Sequence, residues 1–215
     1  MRTLWYGAVT NILYVFPLFY FTSVGSASVL GIVYFVISAG TVVATPMSAG
    51  LRRLVPQERY EELCIVCASL TSVLMLLPGM YMAGTLLTSA FVTMGNTESF
   101  RSYLSDQKIA REERRLVRAK FSSLGSVIEQ LQLLLVVILC SSRLTGNAGS
   151  GIAGYALREV GAWNEPVYRQ TLFACVALNG LAGLLILAQG RIAESRRTQA
   201  DQSPADASAV PDRSA

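Results

Sequence analysis

Residues 120–140, KFSSLGSVIEQLQLLLVVILC, form an apolar run long enough to cross a bilayer, and they carry a carboxylate, Glu129, near the middle. A spanning helix needs about 20 mostly apolar residues. A charge at the bilayer centre costs about 2.5–3.5 kcal/mol even on the lenient insertion scale, so Glu129 is not expected to face lipid. At about 100° per residue, Ser122, Ser126, Glu129 and Gln130 share one side of the helix, with Ser123, Gly125 and Gln132 at its margins. Leu124, Ile128, Leu131, Leu135 and Ile138 fill the other side. Two readings follow. Either the polar side lines a solute cavity, or a protonated Glu129 is hydrogen-bonded to a neighbouring helix and holds the fold together.

Composition agrees with a membrane protein. The chain of 215 residues is 52% hydrophobic and only 15% charged, with a mean hydropathy of +0.44, a departure from soluble globular averages. Histidine is absent, which excludes zincin motifs, His-based triads and imidazole relays. A Cys or Ser nucleophile then lacks its usual base, and no carboxylate pair recurs at working spacing, so no enzyme activity is expected. Cys64 and Cys67 make a CxxC inside an apolar segment with no second ligand pair, and they read as small core residues. No metal and no cofactor is expected. The net charge of +4 comes from basic residues set between apolar spans, not from a stripe with interleaved aromatics, so no nucleic-acid partner is expected.

Working outward from the central run, five further spans are expected, for six in all: 5–22, 27–49, 63–77, 81–103, 120–140 and 172–189. The fold class is all-α, a polytopic six-helix membrane domain over residues 1–192 with a disordered tail at 193–215. The first span is longer than a signal-peptide core and carries Asn11 and Pro17, so it is read as a mature span. It puts Thr10, Asn11, Tyr14, Leu18 and Phe21 on one side. Residues 64–99 are too long for one untilted helix and are divided at Pro78 and Gly79. The fourth span collects Thr85, Ser89, Thr93, Asn96 and Ser99 on one side. Glu98 and Arg101 close it at i, i+3 spacing, a structural or gating ion pair. Residues 106–120 read as a basic loop, and the sixth span, nearly all Leu, Ala, Val and Gly, as a lipid-facing helix. Of the 18 Lys and Arg, all but Arg143, Arg158 and Arg169 fall on the side that holds both termini, which the positive-inside rule makes cytoplasmic.

Six helices in two groups of three, a short basic loop after the second, a longer one after the fourth and a tail after the sixth resemble one half, more the carboxyl-terminal half, of a major facilitator superfamily transporter. That family's loop signature is reduced here to Gly50, Leu51, Arg52 and Arg53, with no Asp and no second Gly. The last two helices are faintly similar to folate and thiamine carriers, through Phe121 and Gln132 and through Pro166, Val167 and Gln170, although the Asn-Thr pair that follows the Phe in those carriers is missing. The resemblance implies that the first and fourth helices line a central cavity, the second and fifth flank it, and the third and sixth face outward. The expected function is transport of a small organic solute across a lipid bilayer by alternating access. Candidate substrate-binding or coupling residues are Asn11, Tyr14, Thr85, Ser89, Asn96, Ser126, Glu129, Gln130 and Gln132. The expected partner is a second transporter half or a second copy of the chain. The alternative is a non-transporting membrane scaffold or a transporter fragment.

Overall fold

The computed structural model describes residues 1–23, 27–77, 79–105, 110, 112–149 and 164–202. Among them there are six long helices and no strand: α1 (Arg2–Ser23), α2 (Ala27–Leu54), α3 (Gln57–Leu74), α4 (Tyr81–Ser105), α5 (Arg114–Thr145) and α6 (Asn164–Gln202). Four of them, α1, α2, α5 and α6, are long and apolar enough to cross a membrane. Helices α3 and α4 fall short by composition: α3 opens on Glu58, Arg59, Glu61 and Glu62, and α4 is rich in Thr and Ser.

Several boundaries differ from those expected, and each difference has a local cause. Helix α5 begins at Arg114, not at residue 120, because Arg, Leu, Ala and Lys in 114–120 are good helix formers, however charged. It ends at Gly146, whose φ of 70° places it in the left-handed region that glycine tolerates. Helix α6 continues through Gln202, into the stretch read as a disordered tail. Residues 193–202 lack Gly and Pro and are dominated by Ala, Glu, Arg and Gln, which sustain a helix. Pro78, Lys108, Arg111, Trp163 and residues 203–215 lie outside the described residues.

The helices alternate in direction. At one end, Arg2 of α1 donates to Glu61 of α3 at 2.7 Å, Arg52 at the close of α2 pairs with Glu98 near the close of α4, and Arg118 at the start of α5 donates to Asn96 of α4 at 2.7 Å. At the other end, Ser23 donates to the Tyr168 hydroxyl of α6 at 3.4 Å, and the Phe21 and Tyr81 rings meet edge to face. Reporter tags at Met1, Pro56 and Arg115 should therefore read one side of the membrane and a tag at Asn147 the other. A tag at Asn147 that reads with Met1 would contradict this alternation.

The bundle has an apolar interior, yet it also exposes many large apolar side chains and buries several polar ones. Ile32, Phe35, Leu131, Leu135, Leu181 and Leu185 are all more than half exposed, whereas Glu129 is 1% exposed and Thr85 fully buried. Apolar surface of this extent is compatible with lipid contact.

The packing has an internal symmetry. Exchanging α1, α2 and α3 for α4, α5 and α6 carries each pair of helices in close backbone approach onto another such pair or onto itself: α1 with α5 onto α4 with α2, α3 with α4 onto α6 with α1, and α2 with α3 onto α5 with α6. Pairs that stay apart among the described residues also exchange, α1 and α3 with α4 and α6. Two tight crossings show the same correspondence. A Cβ on Gly125 of α5 would lie 2.0 Å from the Leu4 carbonyl oxygen of α1, and one on Gly40 of α2 would lie 2.5 Å from the Leu86 carbonyl oxygen of α4. Small residues of this kind let membrane helices approach at backbone distance. A serine crosses each contact, Ser126 donating to the Gly7 carbonyl at 3.2 Å and Ser89 to the Ile37 carbonyl at 2.8 Å.

Candidate functional site

Helices α2 and α5 make no close backbone approach among the described residues, and a cleft of about 220 Å³, lined by both polar and apolar side chains, opens between them. Its floor comes from α1 and α4. Thr10 and Tyr14 are one turn apart on α1, while Ser89, Thr93, Asn96, Thr97 and Phe100 follow the three- and four-residue spacing of one face of α4. Thr41 enters from α2 and Arg118 from α5. The Tyr14 and Tyr34 rings stack at 6.2 Å, and the Tyr34 hydroxyl donates to the Tyr14 carbonyl at 2.8 Å, which fixes the α1 wall against α2.

Arg118 bends into this cleft. Its Nη2 donates to Asn96 Oδ1 at 2.7 Å, and its guanidinium carbon lies 4.7 Å above the centre of the Phe100 ring. Toward the arginine-rich end the cleft adjoins a second hollow of about 330 Å³ that shares Thr93 and Thr97 and adds Ser48, Arg52 and Arg101. Here Arg52 pairs with Glu98, donates through Nε to Ser48 Oγ at 3.1 Å, and lies 4.6 Å above the Tyr60 ring centre. Arg101 reaches Glu98 at 3.6 Å. The i, i+3 pair read from the sequence is present, and Arg52 joins it from the last turn of α2.

The expected site residues separate into three groups. Tyr14, Ser89 and Asn96 line the cleft. Asn11 and Gln130 lie between α1 and α5, the Gln130 amide reaching Asn11 Oδ1 at 3.4 Å, with Gln130 exposed and the Asn11 amide nitrogen buried without a partner. Ser126 is used at the α1–α5 crossing, and Thr85 returns its hydroxyl to the Tyr81 carbonyl at 2.8 Å within its own helix.

Glu129 and Gln132 form the third group, away from the cleft. One Glu129 oxygen accepts from Asn179 Nδ2 of α6 at 3.0 Å and the other lies 3.4 Å from the Gln132 amide. Asn179 also donates to the Cys175 carbonyl at 2.9 Å, and its own carbonyl accepts from Trp5 of α1 at 2.8 Å. The carboxyl group that seemed to demand a cavity is enclosed by α5 and α6. Helix α6 is accordingly not lipid-facing all round: Tyr168, Leu172, Cys175, Val176 and Asn179 are buried.

A larger hollow of about 680 Å³ lies at the opposite end, walled mainly by aromatic and aliphatic side chains such as Phe16, Tyr20, Phe21 and Phe173, with Glu165 and Arg169 beside them. It is roomier but offers fewer groups to orient a polar solute than the cleft does. No group of three or more His, Cys, Asp or Glu able to hold a metal occurs among the described residues, and the four cysteines are free thiols.

No family model, curated protein or solved structure matches this chain. The site is therefore read from its own geometry. Arg118, Thr41 and Phe100 of the cleft and Asn179 beside Glu129 were not singled out by the sequence. A lone Asn in a Leu- and Ala-rich span is the one signal that pointed to Asn179. Arg118 stands among loop-like charges that carry no mark of their own.

Proposed function

We propose that the chain is one six-helix half of a secondary transporter of the major facilitator type, carrying a small organic solute by alternating access. The observation that carries this reading is the cleft floored by α1 and α4 and left open between α2 and α5. The exchange symmetry of the packing supports it, because three-plus-three inverted repeats are nested within each half of such transporters.

In this reading all six helices span, with both termini cytoplasmic. At 1.5 Å per residue the 25 residues of α4 reach about 37 Å, more than the hydrocarbon thickness of about 30 Å. Its polar groups are spared lipid by α1, α2 and α3, which pack around it. The charges of α3 gather in its first two turns, where Glu61 and Glu62 meet Arg2.

The cleft also implies a partner. Lipid satisfies no polar group, and each one left unpaired in hydrocarbon costs several kcal/mol. A second six-helix unit docked over the α1, α2, α4 and α5 side covers the cleft and completes a central cavity.

Uptake into proteoliposomes, with and without a proton gradient, against a panel of organic anions and cations tests the function. Saturable uptake that falls at least about tenfold in Asn96→Ala is the expected result, since loss of a charge-assisted contact of about 1.5–3 kcal/mol is worth that factor or more. Insertion at normal levels with no uptake of any solute contradicts it. A second reading, a non-transporting scaffold, draws on Glu129: sealed against Asn179, it acts as a polar anchor between α5 and α6 and needs no solute.

A further inference from the structure

We propose that the large hollow at the end opposite the Arg2 and Arg52 ion pairs holds one zwitterionic phospholipid, its phosphate on Arg169, its ammonium on Glu165 and part of an acyl chain inside the bundle. The hollow measures about 680 Å³, within the usual range of about 300–1,000 Å³ for ligand sites. It shares no lining residue with the cleft between α2 and α5, so the proposal stands apart from transport. Helices α4 and α6 make no close backbone approach among the described residues. The hollow lies between their first turns, with Tyr81 and Met82 on one side and Glu165 and Arg169 on the other.

Its lining changes character with depth. Glu165 and Arg169, the only charged residues that line it among the described residues, are exposed and carry opposite signs one turn apart. Neither has a hydrogen bond or an ion pair among the described residues, and Tyr20 of α1 lies within electrostatic reach of both. Leu172 stands two turns beyond Glu165 on α6, about 10 Å deeper, and Phe16 and Met75 beside the hollow are buried. Aromatic side chains near a membrane edge commonly form a belt at headgroup level. Phe16 and Phe21 depart from that pattern: they are 1% and 9% exposed, and they meet Tyr168 and Tyr81 edge to face within the bundle.

A charged mouth over an apolar interior fits an amphiphile. Apolar cavities do not hold water well, and the acyl chain is the apolar group at hand in a bilayer. A guanidinium receives a phosphate through paired donors, and a carboxylate beside aromatic rings receives an ammonium. A lipid with a phosphate alone sets its negative charge beside Glu165, and an uncharged lipid leaves both residues unused.

The test is native mass spectrometry of the purified full chain in a mild detergent, titrated with dioleoylphosphatidylcholine, dioleoylphosphatidylglycerol, dioleoylglycerol and phosphocholine. One phosphatidylcholine per chain is the expected result, with phosphatidylglycerol and dioleoylglycerol at least about tenfold weaker, the scale of a lost charged contact. Arg169→Gln should weaken phosphatidylcholine about tenfold, and Glu165→Gln should bring it down to the level of phosphatidylglycerol. Both side chains are exposed and without partners, so both variants should elute from a sizing column as the wild type does. Equal retention of phosphatidylcholine and phosphatidylglycerol, retention unchanged in both variants, or no lipid held more tightly than dioleoylglycerol would each overturn the proposal. Phosphocholine bound as tightly as the whole lipid would overturn it too, because the hollow would then serve a water-soluble solute.

Discussion

Gly125→Val should leave the chain unable to form its α1–α5 crossing. A Cβ at that position would lie 2.0 Å from the Leu4 carbonyl oxygen and 2.8 Å from its carbon, backbone atoms that cannot rotate away. Overpacking a well-packed contact costs about 1–3 kcal/mol when side chains can adjust, and here the helices themselves must separate. A loss above about 3 kcal/mol is a large share of a total of about 5–15 kcal/mol. The expected result is little monodisperse protein after extraction in mild detergent. Gly40→Val should behave alike, because its Cβ would meet the Leu86 carbonyl at 2.5 Å. Gly31→Ala and Gly180→Ala, with open space around both positions, should stay near wild type. Wild-type stability in Gly125→Val would mean that the two helices do not approach as described.

The second large effect is expected at the Glu129–Asn179 pair. Asn179→Leu removes the donor that reaches Glu129 at 3.0 Å and leaves Gln132, at 3.4 Å, as the remaining side-chain contact shown for a carboxyl group that is 1% exposed. Leaving a buried polar group unsatisfied costs about 1–3 kcal/mol. Glu129→Gln keeps an acceptor for Asn179 and should cost much less. Glu129→Leu combined with Asn179→Leu should be less damaging than the sum of the singles, because the pair is removed together. Thermal stability of the four proteins in detergent checks this. Additive losses would show that the two side chains are not coupled.

The apolar runs made the helices legible, because length and hydropathy are properties of a local stretch. Side-chain partners were less so. Glu129 reads as a cavity residue when α5 is viewed alone; its partner lies 50 residues away on another helix. Thr85 shares a stripe with Ser89, yet a threonine in a helix can satisfy its hydroxyl on the preceding turn, and Thr85 does so. Arg118 looked like loop charge because α5 was expected to begin only at residue 120, and its role depends on Asn96, 22 residues away, and on the Phe100 ring. Tyr14, Ser89 and Asn96 were legible as cleft residues because helical spacing alone puts them on the polar faces of α1 and α4.

The central claim is that the open side of the bundle is covered by a second six-helix unit. Single cysteines at Thr97 and Gln130, both exposed along that side, and at Leu181 on the outward side of α6, should be placed in a chain lacking Cys64, Cys67, Cys140 and Cys175. Treatment of native membranes with a short cross-linker should trap a homodimer or heterodimer from Thr97 and from Gln130 and none from Leu181. A chain that stays monomeric at all three positions, and that takes up solute as a monomer in reconstituted vesicles, would contradict the half-transporter account.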